Sequence, residues 1–184
     1  MVQDKKNAWI HWRPEIADAA GWEDLAEAIQ DFEPPCNEAG EECALWLKEH
    51  SLEDFPLTAT WVLFLNGIVH GFFAMSSSSF TISNPHPSRP EEVVTETWPC
   101  SQIKWLCRRN QGKFIGRTFF DQAVYTADRV AKLQGNVALV IEPFDDVIAG
   151  ILTERHHFLR TADQGQLWIP LYPEEDFPMF AKGG

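Results

Sequence analysis

The residues best suited to chemistry lie together at Gln111-Gly112-Lys113-Phe114-Ile115-Gly116-Arg117. A strand-like run, Ser101 to Cys107, precedes them and a helix-patterned stretch follows, so the segment reads as strand, glycine-containing loop, helix. The first N–H groups of a helix have no partner within it, and the aligned peptide dipoles add positive potential there. That combination favours a phosphate. Gly112 and Gly116 permit a tight turn and a close approach of backbone to an anion. Arg108, Arg109, Lys113 and Arg117 make this the densest basic cluster of a chain whose net charge is -12. The same residues also fit an ordinary strand-to-helix turn carrying solvated charges.

The surrounding elements must hold that loop. Trp9 to Trp12 fits a short strand. From Pro14 to Phe32 the apolar residues Ile16, Ala19, Ala20, Leu25, Ala28, Ile29 and Phe32 recur at roughly helical spacing, and Pro34-Pro35 ends the segment. A second helix is expected from Glu41 to His50, with Ala44, Leu45 and Leu47 inward. Thr58–Leu65 and Ile68–Met75 read as strands joined by Asn66-Gly67, the signature of a two-residue type I′ hairpin turn. Ser76 to Pro99, with prolines at 85, 87, 90 and 99, reads as a long irregular loop with Ser76–Ser79 as a solvated strand end. After the glycine loop, Ile115, Phe119, Phe120, Ala123, Val124, Ala127, Val130 and Ala131 form one apolar stripe that Gly135-Asn136 stops. Val137–Ile141 is a strand buried on both faces, Asp145–Arg155 a helix, and Gln166–Tyr172 a last strand. The order describes a mixed α/β sheet.

Gln111 to Arg117 resembles the Gln/Arg-x-x-Gly-x-Gly/Ala loop of the GNAT acyltransferases, whose amides hold the pyrophosphate of coenzyme A. A second motif agrees. The family commonly shows Asn-x-x-Ala-x-x-Phe-Tyr-x-x-x-Gly-Phe after a buried strand; here that register holds Asp146, Ala149, Leu152, Thr153, His157 and Phe158. Arg160 to Tyr172 looks like the fold's last two strands. Gly71-Phe72-Phe73-Ala74-Met75-Ser76 is similar to a strand of the acetyltransferase toxins of toxin–antitoxin pairs. The resemblance covers roughly residues 36 to 173. It implies a GNAT-type, mostly antiparallel sheet flanked by helices over 36–184, with residues 1–35 as an acidic helical extension. It further implies acetyl-CoA as co-substrate, contacted by Trp105, Leu106, Cys107, Arg108, Arg109, Gln111, Gly112, Lys113, Phe114, Ile115, Gly116, Arg117 and Asp146.

Three positions depart from the family pattern. Phe114 stands where the loop has its first motif glycine, Thr153 where a tyrosine usually protonates the departing thiolate, and His157 where a glycine precedes the last strands. Threonine is shorter and far less acidic than tyrosine, so Thr153 acts only through water, if at all. Tyr125 and Tyr172, the only tyrosines, sit elsewhere. Attack of a primary amine on a thioester requires removal of a proton from an ammonium whose pKa lies near about 10.4, for which a carboxylate working through water suffices. Glu96, in the expected loop before the strand, and Glu142, at the end of the buried strand, are the candidates; their plain readings are a solvent-facing carboxylate and a helix cap. The oxyanion needs a backbone N–H, expected within Trp105 to Cys107.

Composition narrows the partners. Residues 1–54 carry 14 acidic and 4 basic side chains, a net charge of -10, against -2 for the remainder. Such a surface repels phosphate backbones and anionic lipid, which argues against nucleic acid in general but leaves a tRNA acceptor end on Arg108, Arg109 and Arg117. No apolar run spans a bilayer and no secretory signal follows Met1, so the cytoplasm is expected. Cys36, Cys43, Cys100 and Cys107 match no zinc spacing and read as buried, reduced thiols; no metal is expected. His156-His157 reads as a packed pair without chemistry. Three functions stay open: acyl transfer to an amine of a small molecule, peptide or protein; toxin-type acetylation of aminoacyl-tRNA; and a coenzyme-binding module without catalysis. A homodimer is compatible with each.

Overall fold

The computed structural model describes residues 7–86, 88–109, 115–161 and 165–172. In chain order its elements are β1 (Asn7–Trp12), α1 (Pro14–Ala17), α2 (Glu23–Gln30), α3 (Glu38–Glu49), β2 (Thr58–Leu65), β3 (Ile68–His86), β4 (Arg89–Arg108), α4 (Ile115–Gln134), β5 (Ala138–Ile141), α5 (Asp146–His156), β6 (Leu159–Arg160) and β7 (Leu167–Pro170). The sheet has seven strands in the order β1-β2-β3-β4-β5-β7-β6. The described ladders are antiparallel for β1–β2, β2–β3, β5–β7 and β6–β7, and parallel for β4–β5. A parallel pair needs a crossover, and α4 supplies it. This is the mixed, mostly antiparallel α/β sheet expected from the sequence. The chain divides into two compact units, Met1–Ser76 with Lys104–Ala123, and Ser77–Ile103 with Val124–Gly184.

In the first unit the pleat sends alternate residues to two different layers. Ile10, Trp12, Val62, Phe72 and Ala74 face a core built with Leu25, Ala28 and Ile29 of α2, Phe32, and Ala44, Trp46 and Leu47 of α3. Each fully buried aromatic or aliphatic side chain there contributes about 1.5–3 kcal/mol. Trp9, Trp61 and Phe73 take the opposite face, where Trp9 meets Phe119 of α4 edge-on at 4.9 Å and Trp61 stacks on Phe73 at 5.2 Å. Asn66 and Gly67 have φ of 51° and 80°, as a type I′ turn requires. The segment 1–35 thus supplies an edge strand and core residues.

The helix expected over Pro14–Phe32 is instead two, α1 and α2. Gly21 at φ 87° breaks the run, and its N–H donates to Glu23 Oε2 at 2.8 Å. The second helix starts earlier than expected, at Glu38, capped by the Asn37 side chain accepting from Gly40 N at 2.8 Å. Trp46 is buried and Leu45 is 52% exposed, against expectation.

In the second unit the largest difference is Ser76–Pro99. It is strand almost throughout, carried by β3 and β4 with 19 and 20 residues. The prolines had pointed to a loop, but the period-2 signal prevails: Val94, Glu96, Trp98 and Cys100 turn inward while Val93, Thr95, Thr97 and Pro99 face solvent. Pro99 lacks an N–H, and its carbonyl accepts from Val137 N at 3.0 Å. Ser77–Ser79 are exposed within the strand rather than at its end. Phe80, Cys100, Ala138, Val140 and Trp168 form the core. Helix α5 is capped by Asp145, whose side chain accepts from Ile148 N at 2.7 Å, and ends at His157 with φ 58°. Phe158 N closes the turn on Leu152 O at 3.2 Å. His157 is exposed and His156 half-buried, so they are not a packed pair. Among the thiols, Cys100 and Cys107 are buried and Cys43 partly so, but Cys36 is exposed; none of the four is in a disulfide.

Two glycine-dependent positions should respond oppositely. A Cβ on Gly71 would lie 2.5 Å from Cys107 O and 2.6 Å from the Phe119 ring, so Gly71→Ala should cost at least about 2 kcal/mol in chemical denaturation. His157 occupies the left-handed region that favours glycine, so His157→Gly should gain about 1 kcal/mol and raise the thermal midpoint by about 2–4 °C.

Candidate functional site

The C-terminal end of β4 is held from three sides. Trp105 stacks on Trp46 at 5.4 Å, and the Trp46 indole N–H donates to Asp54 Oδ2 at 2.8 Å. Cys107 is buried beside Cys43 of α3; the hydrogen bond to Cys43 and burial raise its thiol far above the usual range, so it stays neutral. Its carbonyl lies against Gly71. Beyond the strand, Arg109 N donates to His70 O at 2.8 Å. His70 bulges from β3: Val69 pairs with Phe64 and Gly71 with Leu63, leaving His70 without a cross-strand partner in that ladder.

The β4–β5 ladder runs from Cys100↔Ala138 to Ile103↔Ile141, and β4 continues five residues further, to Arg108. Trp105 and Leu106 are half-buried, Arg108 exposed. The Arg109 guanidinium reaches Glu33 Oε2 at 3.2 Å and is 22% exposed. Ile115, Gly116 and Arg117 open α4; Gln111, Gly112, Lys113 and Phe114 lie outside the described residues.

The other expected site residues belong to the second unit. Glu96 lies within β4, not in a loop, and its Oε2 accepts from Trp98 Nε1 at 3.1 Å. Glu142 is exposed just after β5, and the helix cap is Asp145 instead. Asp146 is exposed in the first turn of α5. The Thr153 hydroxyl donates to the carbonyls of Ala149 and Gly150, both at 3.0 Å, so it is turned into its own helix. Sequence reasoning missed the Arg109–Glu33 ion pair. Its signal was an acidic residue followed by two prolines between two helices, where the backbone has little freedom.

A surface cavity of about 570 Å³ opens between α2 and the end of α3, lined by Trp12, Ala26, Ile29, Gln30, Leu47 and Ser51 among others; no expected coenzyme-binding residue lines it. Among the described residues no group of three His, Cys, Asp or Glu could hold a metal ion, and no helix is long and apolar enough to cross a membrane.

Comparison with solved structures places this architecture. The chain is similar to a Tyr-to-Phe variant of the toxin KacT, with TM-score 0.65 and 18% identity over 80% of this chain and 91% of that one. It is similar to AtaTR bound with acetyl-CoA, at TM-score 0.66 and 18% identity over 90% and 94%. It is also similar to AtaT complexed with acetyl-methionyl-tRNAfMet, at TM-score 0.62 and 18% identity over 77% and 86%. The fold is that of the GNAT acetyltransferase toxins. No protein-family model and no curated protein sequence matches. The expectation that sets nucleic acid aside gains no support from these GNAT neighbours, one of which is a complex with charged tRNA.

Because the Thr153 hydroxyl is bonded within α5, Thr153→Val should change stability by less than about 0.5 kcal/mol. Turnover should stay within about twofold; a hundredfold loss with coenzyme binding intact would give the hydroxyl a chemical role.

Proposed function

We propose that this chain is an acetyl-CoA-dependent N-acyltransferase acting on a primary amine of a small molecule, peptide or protein in the cytoplasm. The observation that carries the reading is the end of β4: a strand that outruns its parallel neighbour, then Arg108 and Arg109, then the N-terminus of a 20-residue helix. That donor set suits a pyrophosphate, because Arg offers a planar fork and the helix offers free amides. Arg109, the glycine loop and the opening turn of α4 would hold the phosphates, with Arg108 and Arg117 adding positive charge. Acetyl-CoA would supply the acyl group as a thioester. The chain's own tasks are then to donate a backbone N–H from Trp105 to Cys107 toward the oxyanion and to accept the amine's proton on a carboxylate, Glu96 or Glu142.

A second reading, acetylation of aminoacyl-tRNA, is favoured by the likeness to the AtaT complex with acetylated, charged tRNA. The charge of -10 on residues 1–54 opposes it. A third, coenzyme binding without catalysis, draws on Thr153 and its internal hydrogen bonds. Salt separates the first two: transfer to tRNA falls steeply with ionic strength, whereas transfer to a small amine changes little.

Acetyl-CoA at a concentration a hundredfold above its dissociation constant should raise the melting temperature by about 5–10 °C. Gly116→Asp, which adds bulk and negative charge beside the expected pyrophosphate, should abolish that shift. An unshifted wild-type protein at millimolar ligand would refute coenzyme binding, and an undiminished shift in the variant would move the site elsewhere.

A further inference from the structure

Cys43 of α3 and Cys107 at the end of β4 meet inside the first unit. The packing around them explains the meeting. Cys43 and Trp46 stand three residues apart on α3 and share one face of it. Trp105 and Cys107 stand two residues apart on β4 and share one face of the strand. Trp46 stacks on Trp105 at 5.4 Å, which sets helix against strand. Beside that stack the two thiols come together in the same core. The Cys107 backbone is itself held by the close approach of its carbonyl to Gly71.

The two thiols are not equivalent. Cys107 is buried, and its S–H donates to Cys43; Arg108 O, at 3.6 Å, is a second acceptor within its reach. Cys43 is half-buried. It accepts the bond from Cys107 and another from the Leu106 backbone N–H. Together these lower its pKa from the ordinary thiol value by more than burial and Glu42 raise it. A thiol that is partly open and held as an acceptor by two donors is the one a small oxidant attacks first. A second sulfur already in contact with it can then resolve the product.

We propose that Cys43 and Cys107 are a site of reversible oxidation by hydrogen peroxide, yielding a disulfide between α3 and the end of β4. The Cys43 thiolate attacks one peroxide oxygen: an S–O bond forms, the O–O bond breaks, and the departing hydroxide takes up the proton that the thiol lost. Cys43 is then a sulfenic acid. The Cys107 sulfur attacks that sulfur, an S–S bond forms and the S–O bond breaks. The second hydroxide leaves with the Cys107 proton as water. Two thiols and one peroxide thus become one disulfide and two waters; each sulfur gives up one electron and the peroxide accepts two. Where thiols are kept reduced such a bridge is transient, and an external dithiol reopens it. Both sulfurs are at contact in the folded chain, so the bridge forms within the native packing. The inference is independent of coenzyme binding.

The test uses the full-length protein, reduced, freed of reductant and exposed to a small excess of hydrogen peroxide. The intact mass should fall by two hydrogens, and peptide mapping without reduction should find Cys43 joined to Cys107. Dithiothreitol should restore the starting mass. The oxidised protein should have a urea midpoint about 1–2 M higher, because the bridge closes the long loop from 43 to 107 in the unfolded chain. Cys43→Ser, a change at the half-buried position, should give no bridge and no rise. Cys107→Ser should leave Cys43 as a sulfenic acid that dimedone captures; if that buried substitution prevents folding, the peptide map and the Cys43 variant decide the matter. Thiols that all survive peroxide, a bridge that includes Cys36 or Cys100 instead, or sulfinic acid at Cys43 without a bridge would each overturn the proposal. So would a 43–107 bridge that fails to raise the midpoint, since it would form only at the expense of the native packing.

Discussion

At Gly71 the backbone of β3 comes against the carbonyl oxygen of Cys107 and the ring of Phe119 so closely that no side-chain atom fits between them. This approach brings three elements together: a central strand, the end of the next strand, and the opening stretch of the helix that follows. Phe72 and Phe73 then diverge to the two faces of the sheet. One packs beneath Phe32 and Trp46, the other beside Trp9 and Trp61. A residue with any side chain at 71 must separate those layers or shift the helix. The end of β4 is fixed by the same contacts, and with it the position from which the chain leaves the strand.

The polar groups near that strand end are also held by packing. Trp46 is locked by its bond to Asp54 and stacks on both Phe72 and Trp105. The bulge at His70 turns a carbonyl toward Arg109, so the arginine starts from a set backbone before its side chain chooses a partner. A cation placed in this way depends on rigid strands rather than on a loop.

Where one physical signal dominated, the elements were legible in the sequence. Asn66-Gly67, the four-residue buried run Ala138–Ile141 and the wide apolar stripe of α4 each specify one structure, and each is found. Two signals in conflict gave errors. In Ser76–Pro99 the prolines and serines outweighed a period-2 pattern that actually decides the backbone. In Pro14–Phe32 the apolar spacing hid the helix-ending role of Gly21. The glycine loop gave a local signal, and its residues 111–114 lie outside the described ones. The Arg109–Glu33 ion pair gave none as a pair, because its partners lie far apart along the chain and only the fold brings them together. The internal bonding of the Thr153 hydroxyl likewise could not be read from spacing alone.

The discontinuity of the first unit has a consequence for synthesis. Its layers are drawn from Met1–Ser76 and from Lys104–Ala123, with part of the second unit encoded between them. A nascent chain that has reached residue 76 holds β1, β2 and helices α1–α3, yet Gly71 has neither the Cys107 carbonyl nor the Phe119 ring to meet. At about 5–20 residues per second, the ribosome needs about two to ten seconds to deliver them. Through that interval Val69 and the faces of Phe72 and Phe73 lack their final cover, which is when a chaperone would find the chain most receptive.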